Sequence, residues 1–246
     1  MSADLRLRIE NVTKTFTLRH RRSLKELAVA MLTHKDPGID TFDALKGVSL
    51  QVREAETIAL LGFNGSGKST LLKLISGVMR PDGGRVLTRG RVAGLIEVGA
   101  GFHPDLTGRE NVFLNGAILG MSKAEIDAAY DSIVAFSEIE RFMDTEVKFY
   151  SSGMFLRLAF AVAVHSNPET FLIDEILAVG DEPFQRKCLT RVNQLKEEGR
   201  SLVIVSHDLD LVSSICERGV VLREGRLVFD GDVHDAVDLM REDQRH

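Results

Sequence analysis

The residues with the clearest chemical potential form one stretch, Gly62 to Ser69, which reads GFNGSGKS and fits G-x-x-x-x-G-K-[ST] at every fixed position. Glycines let successive backbone N–H groups close around phosphate oxygens, and the start of the following helix adds its positive dipole end. Lys68 can reach the β- and γ-phosphates of a nucleotide, and Ser69 can ligate Mg²⁺. The predicted phosphate-binding residues are Gly62, Asn64, Gly65, Ser66, Gly67, Lys68, Ser69 and Thr70.

Two acids and a histidine stand at the ends of other apolar runs. Asp174 and Glu175 follow TFLI, and His207 follows VIVS. Ligands of open α/β sheets bind at the carboxyl ends of the strands, so we predict Asp174 as a Mg²⁺ ligand, Glu175 as the residue that polarises a water, and His207 as a γ-phosphate contact. Taken singly, the acids could cap a helix and the histidine could belong to the core. Their shared position beside a phosphate loop favours catalysis.

Small residues also precede a strongly apolar segment: Ser151, Ser152 and Gly153 stand before MFLRLAFAVAV. The N-terminus of a helix exposes hydroxyl and N–H groups that can bind an anion. An ordinary N-cap is the other interpretation. Since the phosphate loop already supplies one such site, a second is best explained by a nucleotide held mainly by another copy of the chain.

Hydrophobic patterns around these residues predict an α/β fold. Short apolar runs such as ETIALLGF suit strands buried on both faces of a parallel sheet, and alternation in LRLRIENVTKTF and FDALKGVSLQV predicts half-buried strands. GVVLREGRLVFDG predicts a hairpin with Glu224 and Gly225 at its turn. The pattern is helical from about 100 to 165, which we interpret as a subdomain inserted into one domain, 1–246.

Composition excludes several classes of protein. The chain has 246 residues, of which 44% are hydrophobic and 27% charged, as in an ordinary soluble domain. Its net charge of −5 argues against a general nucleic-acid binder. No apolar run approaches the roughly 20 residues that a membrane-spanning helix needs. Two cysteines cannot form a disulfide framework, which favours a reducing compartment.

Taken in order, the phosphate loop, YSSGM, LIDE and SHD resemble the motifs of the ATP-binding subunits of ABC transporters, over about 5–231. The resemblance implies a P-loop NTPase of ABC type: a mixed sheet core, an antiparallel β subdomain and an inserted α-helical subdomain. It implies ATP and Mg²⁺ as cofactors. It also implies a head-to-tail pair of copies, with ATP between the phosphate loop of one and Ser151, Ser152 and Gly153 of the other.

The same resemblance assigns further roles. Glu175 is the general base, Asp181 in AVGD lies in the loop that crosses the dimer interface, and Phe16 stacks on adenine. The chain departs from the common family pattern, since YSSGM replaces LSGGQ and Glu97 replaces a glutamine. Glu97 keeps an oxygen for the Mg²⁺ shell and for the bound nucleotide, and adds a charge.

These departures are similar to one branch, the ATPases of polysaccharide exporters: Wzt-type O-antigen, teichoic-acid and cell-wall galactan exporters. GLIEVGAGFHPDLTGRENVFLNG and IDEILAVGDEPFQRKC carry the likeness. It implies an integral-membrane permease dimer as partner, a lipid-linked glycan as cargo, and a place at the cytoplasmic face of the membrane. Some members carry a C-terminal carbohydrate-binding domain. We expect this chain to lack it and its cargo to be recognised through a lipid pyrophosphate end.

Three other functions remain open on sequence grounds. An exporter of lipid, drug or peptide would carry glutamine at position 97 and a plain LSGGQ-type signature. An ABC ATPase acting on nucleic acid or the ribosome would usually have paired ATPase domains or long insertions. A P-loop kinase would lack the signature segment, YSSGM, and the histidine at position 207.

A basic amphipathic insert, 17–38, interrupts the first predicted strands. Apolar residues follow helical spacing from Leu24 to Leu32, and Ser23 with Glu26 forms a capping box. Its arginines and lysines have one acidic neighbour between positions 19 and 35. A solvated face is one interpretation. The other is contact with anionic lipid or a pyrophosphate headgroup, which the exporter resemblance favours.

We predict that Glu175→Gln leaves ATP binding intact but stops turnover, because the amide cannot accept the proton of the attacking water. ATP should then hold the two copies in a closed dimer, which light scattering and equilibrium ATP binding would detect. Hydrolysis at the wild-type rate by this variant together with its permease would contradict the assignment of the base.

Overall fold

The computed structural model describes residues 4–18, 40–94, 101–174 and 181–245. Nine strands lie in these ranges: β1 (Leu5–Leu18), β2 (Asp40–Arg53), β3 (Thr57–Leu61), β4 (Gly83–Thr88), β5 (Val92–Gly94), β6 (Thr170–Asp174), β7 (Ser201–Val205), β8 (Arg218–Arg223) and β9 (Arg226–Asp232). Seven α-helices lie there as well: α1 (Lys68–Ile75), α2 (Gly108–Ile118), α3 (Lys123–Ser137), α4 (Ser152–His165), α5 (Glu182–Glu197), α6 (Leu209–Ile215) and α7 (Val233–Asp243).

The strands form two sheets. β2, β1 and β4 make an antiparallel sheet in that order, and β5, β6, β7, β3, β8 and β9 make a second sheet. Within the second sheet, neighbours from β5 to β8 run parallel, whereas β8 and β9 form an antiparallel hairpin. This mixture of parallel and antiparallel pairs, with helices between strands, confirms the predicted fold class.

Burial explains why the apolar runs became central strands. All five residues of β3 and of β7 are buried, as strands covered on both faces require. One core cluster joins β6 and β7 to α4, α5 and α7, and a second joins the antiparallel sheet to α1. The central strands are therefore held from both faces, and their carboxyl ends share one edge.

The helical residues between β5 and β6 begin at side-chain caps. Ser122 accepts a hydrogen bond from the N–H of Glu125 and the Glu125 carboxylate accepts one in return, which confirms the predicted capping box. Thr107 and Glu110 make a second capping box at α2, which the sequence interpretation had missed. The α2, α3 and α4 helices share their own core cluster, around Ile133 and Leu158.

Several predicted features lie outside the described residues. They are Glu97, Glu175 and positions 19–38 of the basic insert. None of the described helices is both long and apolar enough to span a membrane.

Arg218 joins the two sheets. Its guanidinium donates to both carboxylate oxygens of Asp230 on β9, at 2.6 and 2.7 Å, to Glu56 Oε1 at 2.8 Å, and to the carbonyl of Gln51 on β2 at 3.0 Å. Hydrogen bonding to Asp230, above all, raises the pKa of Arg218. The fork of donors on one guanidinium matches these acceptors in a way that a lysine cannot.

We expect Arg218→Met to lower the free energy of unfolding by about 2 kcal/mol, because Asp230 and Glu56 lose a shared cation at a partly buried position. Urea denaturation followed by circular dichroism would measure the change. Arg226→Met, an exposed position on β9, is the control and should change stability by about 0.5 kcal/mol or less. Equal stability of the two variants would contradict the role of Arg218 between the sheets.

Candidate functional site

The phosphate loop connects β3 to α1 and depends on glycine at two points. Gly62 has φ 147° and Gly67, the N-cap of α1, has φ 107°, in the region that favours glycine. A Cβ at Gly62 would lie 2.3 Å from the carbonyl oxygen of Leu222, and a Cβ at Gly67 would lie 2.6 Å from that of Ala44. A Cβ at either distance would clash with a backbone carbonyl oxygen, which cannot move aside as a flexible side chain can. Only glycine therefore fits at these two positions of the loop.

Lys68 is folded over the loop. Its ammonium donates to the carbonyl of Gly62 at 2.7 Å and to that of Phe63 at 3.1 Å, and the residue is 8% exposed. A cation with so little contact with water attracts a phosphate group more strongly than an exposed one would. Ser66 is also buried, and its Oγ has no hydrogen-bond partner among the described residues. The loop thus offers a desolvated cation beside N–H and hydroxyl groups.

A cleft of about 170 Å³ opens above this loop. It brings together six of the residues that the sequence predicts to bind phosphate or Mg²⁺, with two residues of β2. The lining residues are Phe42, Ala44, Asn64, Gly65, Gly67, Lys68, Ser69 and Thr70. The donor set and the close-fitting glycines suit the phosphates of a nucleotide.

Phe16 and Phe42 differ in their relation to this cleft. Phe16, the predicted adenine contact, is half-buried on β1 and is absent from the cleft's described lining. Phe42, directly opposite on β2, lines the cleft and is 48% exposed. The role of Phe16 stays a prediction, and sequence reasoning missed Phe42. Its only signal was an aromatic residue just before the apolar pair Ala44 and Leu45.

The turn of the β8–β9 hairpin supports the phosphate loop from behind. The N–H of Gly225 donates to the carbonyl of Ser66 at 3.0 Å, and the carbonyl of Gly225 accepts from the N–H of Lys46 at 2.8 Å. Gly225 has φ 77°, and a Cβ there would lie 2.6 Å from the carbonyl oxygen of Ala44. The sequence predicted this turn as a hairpin and missed its support of the loop.

The polar residues at the strand ends and the phosphate loop lie at the same edge of the sheet. Asp174 ends β6 and pairs in register with Val205, the last residue of β7, which His207 follows. β7 in turn lies beside β3, whose end leads into the phosphate loop. Asp174 is half-buried and His207 is exposed. Both residues lie at or just beyond the carboxyl ends of neighbouring strands, as predicted, and the roles of the two side chains stay predictions.

The signature segment, YSSGM, leads into α4, and its Ser151 is an ordinary N-cap of that helix. Ser151 Oγ accepts from the N–H of Met154 at 3.2 Å, while Ser151 and Ser152 are exposed to solvent. Of the described residues that line the phosphate-loop cleft, none belongs to this segment. The capping role is therefore present in the chain, and the second phosphate site, which includes Gly153, stays a prediction.

Tyr150 fixes the start of that helix. Its hydroxyl donates to the carbonyl of Phe142 at 2.7 Å, and burial raises its pKa to about 12. A Cβ at Gly108 would lie 2.1 Å from that hydroxyl oxygen. The tyrosine that replaces the usual leucine of the motif is thus held by a hydrogen bond to Phe142 and lies close to Gly108, the first residue of α2.

Asp181 is held by α4, the helix that follows the signature segment. Arg157 on α4 reaches its carboxylate at 2.5 Å and that of Glu138, at the end of α3, at 2.7 Å. The guanidinium also lies 4.6 Å from the ring centroid of Phe184. Sequence reasoning predicted Asp181 at a dimer interface and missed Arg157, which links that aspartate to two helices.

The described residues fit Mg²⁺ when it is bound together with a nucleotide. They contain no cluster of three or more histidine, cysteine or acidic side chains that could hold a metal alone. Ser69 at the start of α1 and Asp174 at the end of β6 offer hard oxygen ligands, and Mg²⁺ in such sites commonly takes its other ligands from substrate phosphates and water.

Comparison with known proteins decides the family. The family model described as "ABC transporter" matches residues 45–178, which is more than half of the chain. The chain belongs to the ABC transporter family. Cassettes of this family bind and hydrolyse ATP, so ATP is the nucleotide that the phosphate loop serves.

The relatives and solved structures agree with this assignment. An ABC transporter protein, AbcA of Aeromonas salmonicida, is 46% identical over 92% of this chain and 72% of its own length. An O-antigen export system ATP-binding protein, RfbB of Klebsiella pneumoniae, is 38% identical over 96% and 97%. A teichoic acids export ATP-binding protein, TagH of Levilactobacillus brevis, is 39% identical over 98% and 66%. A dimeric bacterial ABC transporter cassette, MJ0796, superposes with TM-score 0.72 and 26% identity, over 92% and 98% of the two chains.

We expect Gly225→Ala to weaken ATP binding at least tenfold and to destabilise the fold, because the new Cβ would push Ala44 away from the hairpin turn that supports the phosphate loop. Gly77→Ala is the matched control: its φ of 78° carries the same strain, but a Cβ there meets nothing within 4 Å. That variant should lose only about 1 kcal/mol of stability. Calorimetric titration with ATP and thermal melts would separate the two; equal effects would contradict the supporting role of Gly225.

Proposed function

We propose that this chain is the ATP-binding and hydrolysing subunit that powers export of a lipid-linked polysaccharide across the cytoplasmic membrane, together with a separate permease dimer. One observation carries the proposal. Proteins named for O-antigen export and for teichoic acids export are 38% and 39% identical to it, over 96% and 98% of its length. Identity with both, over nearly the whole chain, supports a shared task in exporting surface polymers.

Two copies would pair head to tail around ATP. The exposed N-terminus of α4 supports this arrangement, because Ser151 and Ser152 face solvent outside the cleft of their own chain. The similar cassette MJ0796 is dimeric. In the pair, Ser151, Ser152 and Gly153 of one copy would complete the phosphate site of the other, and Asp181 would lie near the contact.

Each group in the site then has a task. Lys68 and the backbone N–H groups of the loop hold the β- and γ-phosphates, and His207 contacts the γ-phosphate. Ser69, Asp174 and Glu97 would hold Mg²⁺, which when bound neutralises charge on the phosphates. Glu175 accepts the proton of the attacking water.

The cassette would be one domain in which the helices of about 100–165 form the inserted subdomain. It would be attached to the inner face of the membrane through the permease. The basic insert, 17–38, would lie near lipid or the pyrophosphate end of the cargo, because its arginines and lysines suit anionic groups. This arrangement places ATP hydrolysis at a cytoplasmic subunit and the cargo path in its partner.

Depletion of the protein in its native host tests the export proposal. We expect lipid-linked glycan to accumulate on the cytoplasmic side, where an impermeant glycan label reaches it in lysed cells and not in intact cells. Expression of the wild-type chain should restore surface glycan, while expression of Lys68→Ala should not, since it lacks the phosphate-binding ammonium. An unchanged distribution of glycan would remove the export proposal and leave the ATPase assignment in place.

A further inference from the structure

A second cavity, of about 520 Å³, lies between the inserted helices and the core. Ser132 and Phe136 of α3 line it, together with four residues of α5 and with His165 at the C-terminus of α4. Among the described residues, none lines both this cavity and the phosphate-loop cleft. Its volume falls in the range of about 300 to 1,000 Å³ that small-molecule sites occupy. The cavity is therefore large enough for a ligand of its own.

The charges around this cavity favour an anion. Lys187, Arg191 and His165 line it, and none of its described lining residues is acidic. Glu138 pairs with Lys187 at 2.9 Å and Glu198 pairs with Arg191 at 2.8 Å, but both carboxylates are more than 40% exposed. Water weakens such pairs, so the two cations keep much of their attraction for a negative group inside the cavity.

The residues of α5 differ in what they can donate. The Lys187 ammonium already uses three N–H groups, on two carbonyls at the end of α3 and on one carboxylate, so it supplies charge alone. Arg191 makes one short bond, to Glu198, while its contacts with Gln194 and with a carbonyl of α4 are both 3.4 Å long. A stronger acceptor can replace these long contacts. The NH₂ group of Gln194 and the exposed hydroxyl of Ser132 add further donors.

His165 offers its second ring nitrogen to the cavity. Its Nδ1 lies 2.7 Å from the carbonyl oxygen of Ala161, so Nδ1 carries the proton of that bond. Burial, followed by the charges of Arg191 and Lys187, lowers the pKa of His165, and the neutral ring leaves Nε2 as an acceptor. A singly protonated phosphate can donate to Nε2, and a dianionic one favours its protonation. A carboxylate carries no proton to donate near pH 7.

We propose that this cavity binds a phosphomonoester of a small organic molecule. The phosphate group contacts Arg191 and Gln194 of α5 and Nε2 of His165, which together match its several oxygens. The organic part packs against Phe136, whose ring meets that of His165 edge-on with centroids 5.5 Å apart. Since α3 and α5 both line the cavity, the ligand contacts an inserted helix and the core at once. This site is independent of the ATP and export assignments.

The Cε1–H NMR signal of His165 in the full chain reports binding, and its loss in His165→Asn identifies it. We expect phenyl phosphate to shift this signal at millimolar concentration and to raise the pKa of His165. Inorganic phosphate lacks the ring and benzoate lacks the extra oxygens, so both should bind at least tenfold more weakly. Lys68→Ala, which disables the phosphate loop, should leave the titration unchanged.

Two variants test the cavity itself. Arg191→Gln should weaken phenyl phosphate binding about tenfold, because a charged hydrogen bond is lost. Arg186→Gln, at an exposed position on the same helix, is the matched control and should bind as the wild type does. Ser132→Glu places a carboxylate in the cavity from an exposed helix position, and should abolish binding in a chain whose fold is intact by circular dichroism.

The contrary outcomes are distinct from one another. A His165 signal that none of the three probes moves would overturn the proposal. Benzoate binding as tightly as phenyl phosphate would overturn the choice of phosphate, and inorganic phosphate doing so would overturn the organic part. A response lost in Lys68→Ala but kept in Ser132→Glu would place the ligand at the phosphate loop, and would overturn the second site.

Discussion

The site depends on one steric constraint: there is no space for a Cβ between the phosphate loop and the backbone around it. Gly62 lies against the carbonyl of Leu222, while Gly67 and Gly225 both lie against that of Ala44. These contacts connect three separate parts of the chain: the loop, the start of the buried part of β2 and the β8–β9 hairpin. Because interiors are close-packed and compress little, a change at one of these backbones is transmitted to the others. The position of the phosphate donors is thus set by two sheets together.

The electrostatics of the site follow from this packing. Burial leaves the ammonium of Lys68 with carbonyl groups around it instead of bulk water, and the N-terminus of α1 points its dipole into the same space. A backbone closed so tightly excludes side chains that would fill the cleft. The wall of the cleft opposite the loop comes from β2, where Phe42 provides apolar surface.

The helices between β5 and β6 pack on the core through apolar residues of α4, and polar contacts around YSSGM add to that packing. The Tyr150 hydroxyl donates to the carbonyl of Phe142 and lies close to Gly108 at the start of α2, and Arg157 on α4 pairs with Asp181 and Glu138. The contacts of Arg157 lie on partly exposed carboxylates, which solvent weakens. Such contacts can exchange partners at low cost, as a helix that meets another copy of the chain would require.

The sequence by itself determined the fold class, the phosphate loop and the presence of polar residues at strand ends, because these depend on local patterns: burial periodicity, glycine spacing and residues that end strands. It also determined the hairpin at Glu224 and Gly225 and the cap at Ser122. Only the tertiary structure decided what touches the loop. Phe42 becomes part of the cleft through its register opposite Phe16, Gly225 becomes a support through packing against Ala44, and Arg157 meets Asp181 across 24 residues of sequence. Each of these is a long-range contact, and a one-dimensional pattern does not record which distant residues share a surface.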